Sequence, residues 1–284
     1  MAGGGRQYNA SPEMTRQYCH IGSRTIAYLD SAPGQHDLRS LVLLHAFPIG
    51  ANLWEPQIKS IPEGWRLITP DLRGFGGSTE LDSSSALSMA DYAEDVVALL
   101  AELNVARAVI GGCSMGGYAA LALYQSAPQL FEGLVLANTR AGADSPESRA
   151  NRRNMLALVD REGASGVARE MMPKLLGKTT HESNSDAESF IRRLIKQQSP
   201  IAVRNAIHRM MHRTDSTPLL AQVSVPTLVI TGAEDEMIPV EESRKMASAI
   251  RGAKLVIIPG AGHLANLEQP DAFNAALNGF LAAL

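Results

Sequence analysis

The chain has 284 residues, 45% apolar and 19% charged, enough for a sizeable core in one large domain or two small ones. Its 26 basic and 29 acidic residues leave a net charge of −3, which gives no electrostatic footprint for nucleic acid or an anionic membrane. Cys19 and Cys113 are too few for a disulfide scaffold or paired C-x-x-C zinc ligands, no apolar run reaches the ~20 residues of a membrane span, and the N-terminus lacks the apolar core of a signal peptide. A cytoplasmic protein is expected.

Residues 1–13, Gly-rich and polar, read as a disordered leader, with Met14 a candidate start. Gln17–Ile21 and Thr25–Asp30 flank Gly22-Ser23 and predict a β-hairpin. Ser40–Leu44 is a strand ending in His45, and Arg66–Thr69 is a second, closed by Pro70-Asp71. Over Ser88–Leu103 the apolar spacing is helical, with Ser88 as cap and Asp91 three residues on. Ala106–Ile110 is an apolar strand, expected to break at Gly111-Gly112. Tyr118–Gln125 predicts a buried helix ended near Pro128, and Gly133–Ala137 another strand.

Strand signals then vanish. Helical periodicity appears near 147–161, 164–172, 186–198 and 200–213, with breaks at Pro173 and Pro200. Thr227–Thr231 and Lys254–Ile258 restore short buried strands, and helices follow at Glu241–Ile250 and Asp271–Leu284. Short apolar strands alternating with helices predict an α/β fold, a parallel sheet covered on both faces and interrupted once by an all-helical insert.

The sharpest chemical signal is Gly112-Cys113-Ser114-Met115-Gly116, a G-x-S-x-G between a strand and a helix. That context is the one a nucleophile elbow requires. The tight turn needs small neighbours, supplied by Gly112 and Gly116 and extended by Gly117. A Gly/Ser turn that merely caps a helix is the alternative. Serine is a poor nucleophile near neutrality, so it needs a base, and the base needs an orienting acid. Of seven histidines, His181, His208 and His212 lie in the insert, His20 and His36 near the hairpin, and His45 ends an early strand. His263 alone follows the last strand, where α/β sites are built. The acid is sought after Thr227–Thr231, where Glu234, Asp235 and Glu236 are adjacent. Asn138, after the preceding strand, cannot serve. An oxyanion needs two N–H donors. The Met115 amide is one candidate. The other is Phe47 in His45-Ala46-Phe47-Pro48, since Pro48 has no N–H. His45 is read as fixing that loop.

With these residues in view, the sequence resembles the α/β-hydrolase superfamily over nearly its whole length. The resemblance rests on His45–Pro48, Asp71-Leu72-Arg73-Gly74-Phe75-Gly76-Gly77-Ser78, the elbow at Ser114, Gly232–Pro239 and Gly262-His263. It implies an α/β-hydrolase fold, mostly parallel and twisted, with a core of 14–138 and 218–284 and a helical cap of 139–217. Its G-x-x-D-x-x-x-P pattern aligns Asp235 with the acid and leaves Glu234 and Glu236 as loop charges. Asp71 and Arg73 belong to a structural hallmark and are not read as catalytic. Two departures stand out. Ala46 replaces a common glycine in the oxyanion loop. Cys113 stands where histidine is common, as in some lactonase-like relatives, and is read as buried and inert.

The implied activity is carboxylic ester hydrolysis by Ser114, Asp235 and His263 on a small-molecule ester or lactone. It requires no metal and no organic cofactor, and no nucleic-acid or membrane partner. An enol-lactonase, a cofactor-free haloperoxidase or perhydrolase, and a hydrolase-fold ligand receptor are the rivals. The insert holds five of the eleven methionines, Met155, Met171, Met172, Met210 and Met211, expected as core filler with some lining a pocket. It also carries 14 basic and 9 acidic residues, a net of +5, against 12 and 20 elsewhere, a net of −8. The reading favoured here is a basic face docking on an acidic core; the sharper one is steering of anionic substrates.

Overall fold

A computed structural model describes residues 15–80 and 87–284. The expected leader, 1–13, and Met14 lie outside them. Eight strands form one sheet: β1 (Gln17–Ile21), β2 (Arg24–Asp30), β3 (Arg39–Leu44), β4 (Trp65–Pro70), β5 (Ala108–Cys113), β6 (Phe131–Ala137), β7 (Thr227–Gly232) and β8 (Lys254–Ile258), in the order β1-β2-β4-β3-β5-β6-β7-β8. The hairpin β1–β2 and the β2–β4 pair are antiparallel, and every later pairing is parallel. Leu41–Leu44, Ala108–Cys113 and Thr227–Gly232 are buried throughout, as strands covered on both faces must be. β8 differs. It is the last strand in the order and half-exposed, so its apolar run marks an edge and not the buried strand expected.

The helices are α1 (Glu55–Ile58), α2 (Met89–Glu102), α3 (Met115–Ser126), α4 (Pro146–Leu175), α5 (Lys178–Ser183), α6 (Ser185–Lys196), α7 (Pro200–Met211), α8 (Thr217–Leu220), α9 (Val240–Ala249), α10 (Ala265–Glu268) and α11 (Pro270–Leu281). The expected cap of α2 is present, with the Ser88 N–H donating to Asp91 Oδ2 at 3.3 Å. α4 is two helices joined at Gly163, whose φ of 58° and ψ of −156° are non-helical, matching the expected gap between 161 and 164. Pro173 does not end it. The helix runs two residues further, to Leu175.

One expectation is overturned. Gly111-Gly112 does not break β5; the strand continues to Cys113, with Gly112 in register with Leu44 of β3 and with Leu136 of β6. These glycines answer a steric demand. A Cβ on Gly111 would lie 2.2 Å from the Val135 carbonyl oxygen. Because β3, β5, β6 and β7 run parallel and in register, their carboxyl ends deliver His45, Ser114, Asn138 and Asp235 to one edge of the sheet.

The segment between β6 and β7 is all helical and carries α4 to α8. Arg209 of α7 fastens it to the sheet side. The guanidinium is fully buried, 2.9 Å from Asp91, 3.1 Å from Glu80 and 4.9 Å from the centroid of the Tyr92 ring. Burial works against the charge, but Tyr92 and Glu80 outweigh it and raise its pKa. Replacing Arg209 by methionine leaves both carboxylates without their cation and is expected to cost about 3 kcal/mol of stability. Urea unfolding checks this, and a loss below ~1 kcal/mol would refute the anchoring role.

Candidate active site

Ser114 occupies the single position between the last residue of β5 and the first of α3. Its φ of 52° and ψ of −112° are rare for a residue with a side chain and cost on the order of 1–3 kcal/mol. Packing enforces that strain. A Cβ on Gly112 would fall 2.3 Å from the Gly116 carbonyl carbon, and one on Gly116 would fall 2.1 Å from Leu44 O. The helix therefore starts against the ends of β3 and β5, and only a sharp turn reaches it. The turn is tied across the sheet: Ser114 N–H donates to Ala137 O at 2.9 Å, and Thr139 Oγ1 donates to Ser114 O at 2.8 Å.

His263 follows β8 and Asp235 follows β7; they are 1% and 6% exposed. His263 Nδ1 lies 2.9 Å from Asp235 Oδ2 and 3.1 Å from Oδ1. Asp235 also accepts Met237 N–H, Ile238 N–H and Asn138 Nδ2, each at 2.9 Å. Burial pushes its carboxyl pKa up, but the His263 ring and these donors outweigh burial and hold it below the ordinary value. An ionised carboxylate only accepts, so Nδ1 carries the proton. Nε2, on the opposite ring edge, is buried without a hydrogen-bond partner among the described residues. Of the three adjacent carboxylates, Asp235 alone meets His263. Glu234 instead accepts Thr179 N–H and Oγ1 at 2.9 and 2.6 Å, and Glu236 is exposed.

Phe47, Ser114 and His263 line one cavity of about 510 Å³. Neither the Phe47 nor the Met115 amide donates to another group among the described residues. His45 fixes the Phe47 loop, as expected. Its Nδ1 meets Ala46 O and its Nε2 accepts Leu72 N–H, both at 3.0 Å. Burial lowers its pKa to about 4, keeping the ring neutral. Cys113 is buried, and burial, then the charges of Asp235 and Glu268, raise its thiol well above the ordinary value, so it stays protonated.

A family model for the alpha/beta hydrolase fold matches residues 39–270. The chain belongs to the α/β-hydrolase family. Among solved structures, a thermophilic esterase from Thermogutta terrifontis, determined with malate bound, is 35% identical with a TM-score of 0.87, covering 95% of this chain and 98% of that one. The enol-lactonase from Burkholderia xenovorans is 26% identical with a TM-score of 0.85, covering 94% and 100%. By sequence, a 3-oxoadipate enol-lactonase of Acinetobacter baylyi is 27% identical over 88% of this chain and 91% of its own length. These relatives support the ester hydrolysis expected from the sequence, with lactones inside the same chemistry.

The hydrolase contains site residues that sequence reasoning missed. Asn138, set aside as no acid, has a φ of 45° and donates to both Asp235 and Gly262 O. Its place directly after β6 was the available signal. Glu268 accepts N–H groups from Gly262 and Leu264, on either side of His263, and nothing in its spacing announced it. Met155, Met171 and Met210 line the cavity, as expected of some of the five methionines; Met172 is buried in the core. The cavity also carries Arg140, Arg152, Arg161 and Lys174.

Two measurements probe this geometry. Ser114→Gly relieves the strained φ, whereas Ser114→Ala keeps it, so the glycine variant is expected to be more stable by about 1 kcal/mol; equal denaturant midpoints would mean an unstrained turn. His45 has a depressed folded-state pKa, so the unfolded chain binds more protons between pH 4 and 6.5. Its contribution is complete above about pH 6.5 and is lost as pH falls toward 4. Stability against pH in that window should be steeper for the parent than for His45→Gln, and parallel curves would contradict a buried neutral ring.

Proposed function

We propose that this hydrolase cleaves carboxylic esters through an acyl-enzyme on Ser114. The observation that carries the reading is the His263 ring. One of its nitrogens is fixed by a buried, fully bonded carboxylate; the other is unpartnered in the cavity that Ser114 also lines. As Ser114 Oγ attacks the carbonyl carbon, its proton passes to His263 Nε2, and Asp235 stabilises the resulting imidazolium. The carbonyl electrons move to oxygen, where the Phe47 and Met115 amides donate. Collapse expels the alcohol, which takes the proton from His263. Water then loses a proton to the same nitrogen and attacks the acyl-enzyme, and collapse frees the acid as Ser114 Oγ takes that proton back from His263. No step calls for a metal or organic cofactor.

Residues 139–217 act in this reading as a cap over the core of 14–138 and 218–284. Their support is the α4 and α7 side chains on the cavity wall. A lactone is an internal ester, and the enol-lactonase relatives favour testing one alongside open-chain esters. Among the described residues no helix is long and apolar enough to cross a membrane. Both cysteines are free, which supports a cytoplasmic setting.

Short-chain p-nitrophenyl esters test the assignment. The parent should turn them over and Ser114→Ala should not. Asp235→Asn should lower kcat/KM on the order of 10⁴-fold, with far smaller losses for Glu234→Gln and Glu236→Gln. Equal turnover by parent and Ser114→Ala would end the serine reading; a severe Glu234→Gln would move the acid.

A further inference from the structure

The cavity wall holds more positive charge than ester cleavage by Ser114 and His263 requires. Arg140, Arg152, Arg161 and Lys174 line it against one carboxylate, Glu170. The cations lie at two depths. Arg161 and Lys174 are exposed on α4 and make no ion pair among the described residues. Arg140 and Arg152 are half-buried and converge, with the buried Arg213, on Asp144.

Asp144 is fully shielded. It lies 2.8 Å from Arg140 and 2.5 Å from Arg213, and Arg152 closes on its second oxygen. Arg213 is held from behind as well. It donates to Met210 O and Gly142 O, and it sits 4.1 Å over the ring of Tyr118, itself on the cavity wall. Burial pushes the Asp144 carboxyl up, yet Arg152 and Arg213 outweigh it and bring the pKa down to about 2. It is therefore already ionised, and its one negative charge is shared by three arginines; the exposed Asp215 adds a charge near Arg213, away from Arg140 and Arg152 on the cavity wall. Among the described residues, Arg140 Nε is buried with no hydrogen-bond partner.

Guanidinium charge left uncompensated beside apolar wall is costly until an anion supplies the missing half. The cavity that Arg140 and Arg152 line is walled by apolar Met155, Leu158 and Met210 as well as by polar Ser148, Asn151 and Asn154. The planar fork of arginine matches a carboxylate in shape as well as charge. We propose that the cavity takes an ester or lactone carrying a free carboxylate group, which Arg140 and Arg152 bind while the reacting carbonyl lies at Ser114. Arg161 and Lys174, at the exposed level, draw the anion in. The inference rests on the ester-hydrolase reading of this cavity and names its substrate class. It also reverses the balance struck from sequence, where docking was preferred to steering as the use of the basic insert.

The experiment compares matched esters. Mono-p-nitrophenyl glutarate bears a carboxylate on the acyl side and para-acetoxybenzoate one on the alcohol side; each is paired with its methyl ester. The parent should favour the free acid of at least one pair, and Arg152→Gln should cut that preference on the order of tenfold. In Arg161→Gln with Lys174→Gln the preference should become less sensitive to salt. Preference for the methyl ester in both pairs, or a preference untouched by Arg152→Gln, would overturn the proposal. Calorimetry of glutarate binding to Ser114→Ala reads the anion site without turnover. Binding that Arg152→Gln weakens sustains the site even if no ester is cleaved. Ester turnover without glutarate binding overturns the site and leaves the esterase reading standing.

Discussion

The contact between the first turn of α3 and the ends of β3 and β5 constrains everything around it. Gly112 and Gly116 meet there with no room for a methyl group, and a Cβ on Gly117 would lie 2.4 Å from Thr139 Oγ1. With the helix this close, the chain leaving β5 has one residue in which to turn, and Ser114 takes the strained conformation. Its hydroxyl is thereby presented above the sheet edge and its neighbour's amide heads the helix. That is the arrangement an attacking oxygen and an oxyanion donor both need. The strain is tolerable because hydrogen bonds from Ser114 to Ala137 and from Thr139 to Ser114 pin the turn on both sides.

A second set of constraints joins the helical segment to the loop of His263. Glu268 is buried and accepts four donors: Gly177 N–H and Thr180 Oγ1 at 2.7 Å, Gly262 N–H at 2.9 Å and Leu264 N–H at 3.1 Å. Burial raises its carboxyl pKa, and the four donors only partly oppose the rise. Glu234 repeats the device from the loop of Asp235, binding Thr179. The stretch 177–180 is thus tied to both loops that hold the Asp235–His263 pair. A shift of the helices over the cavity would be felt at the histidine, so the cavity wall and the reacting groups form one mechanical unit.

Much of this was legible in sequence because it obeys local rules. Strand runs, the Ser88 cap, the elbow glycines and the position of His263 past the last strand each follow from short-range pattern. What was not legible depends on distant partners. Gly111-Gly112 reads as a strand break when taken alone; only Val135 and Gly116, across the sheet and in the helix, turn those glycines into steric necessities. The three adjacent carboxylates Glu234, Asp235 and Glu236 are alike to local pattern, and only the family resemblance singles out Asp235; what separates them physically is which one faces His263 and which faces Thr179. Asn138 cannot be the acid because its amide does not ionise. Its value lies in donating to Asp235, a role visible only once β6 and β7 are neighbours.

The charge of the chain follows the same logic. A net of −3 is uninformative because a basic insert and an acidic remainder nearly cancel. The fold then sorts the insert's cations into two uses. Arg209 is sealed between Glu80, Asp91 and Tyr92, where two carboxylates answer its charge and it serves attachment. Arg140, Arg152 and Arg213 converge on Asp144, and the exposed Asp215 adds a second charge near Arg213. Docking requires each buried cation to be answered by carboxylate, since unmatched buried charge is destabilising. Arg209 is answered by two, whereas the three arginines around Asp144 outnumber the carboxylates near them. The imbalance lies on the wall of the cavity that holds Ser114 and His263, where an anionic substrate would complete it.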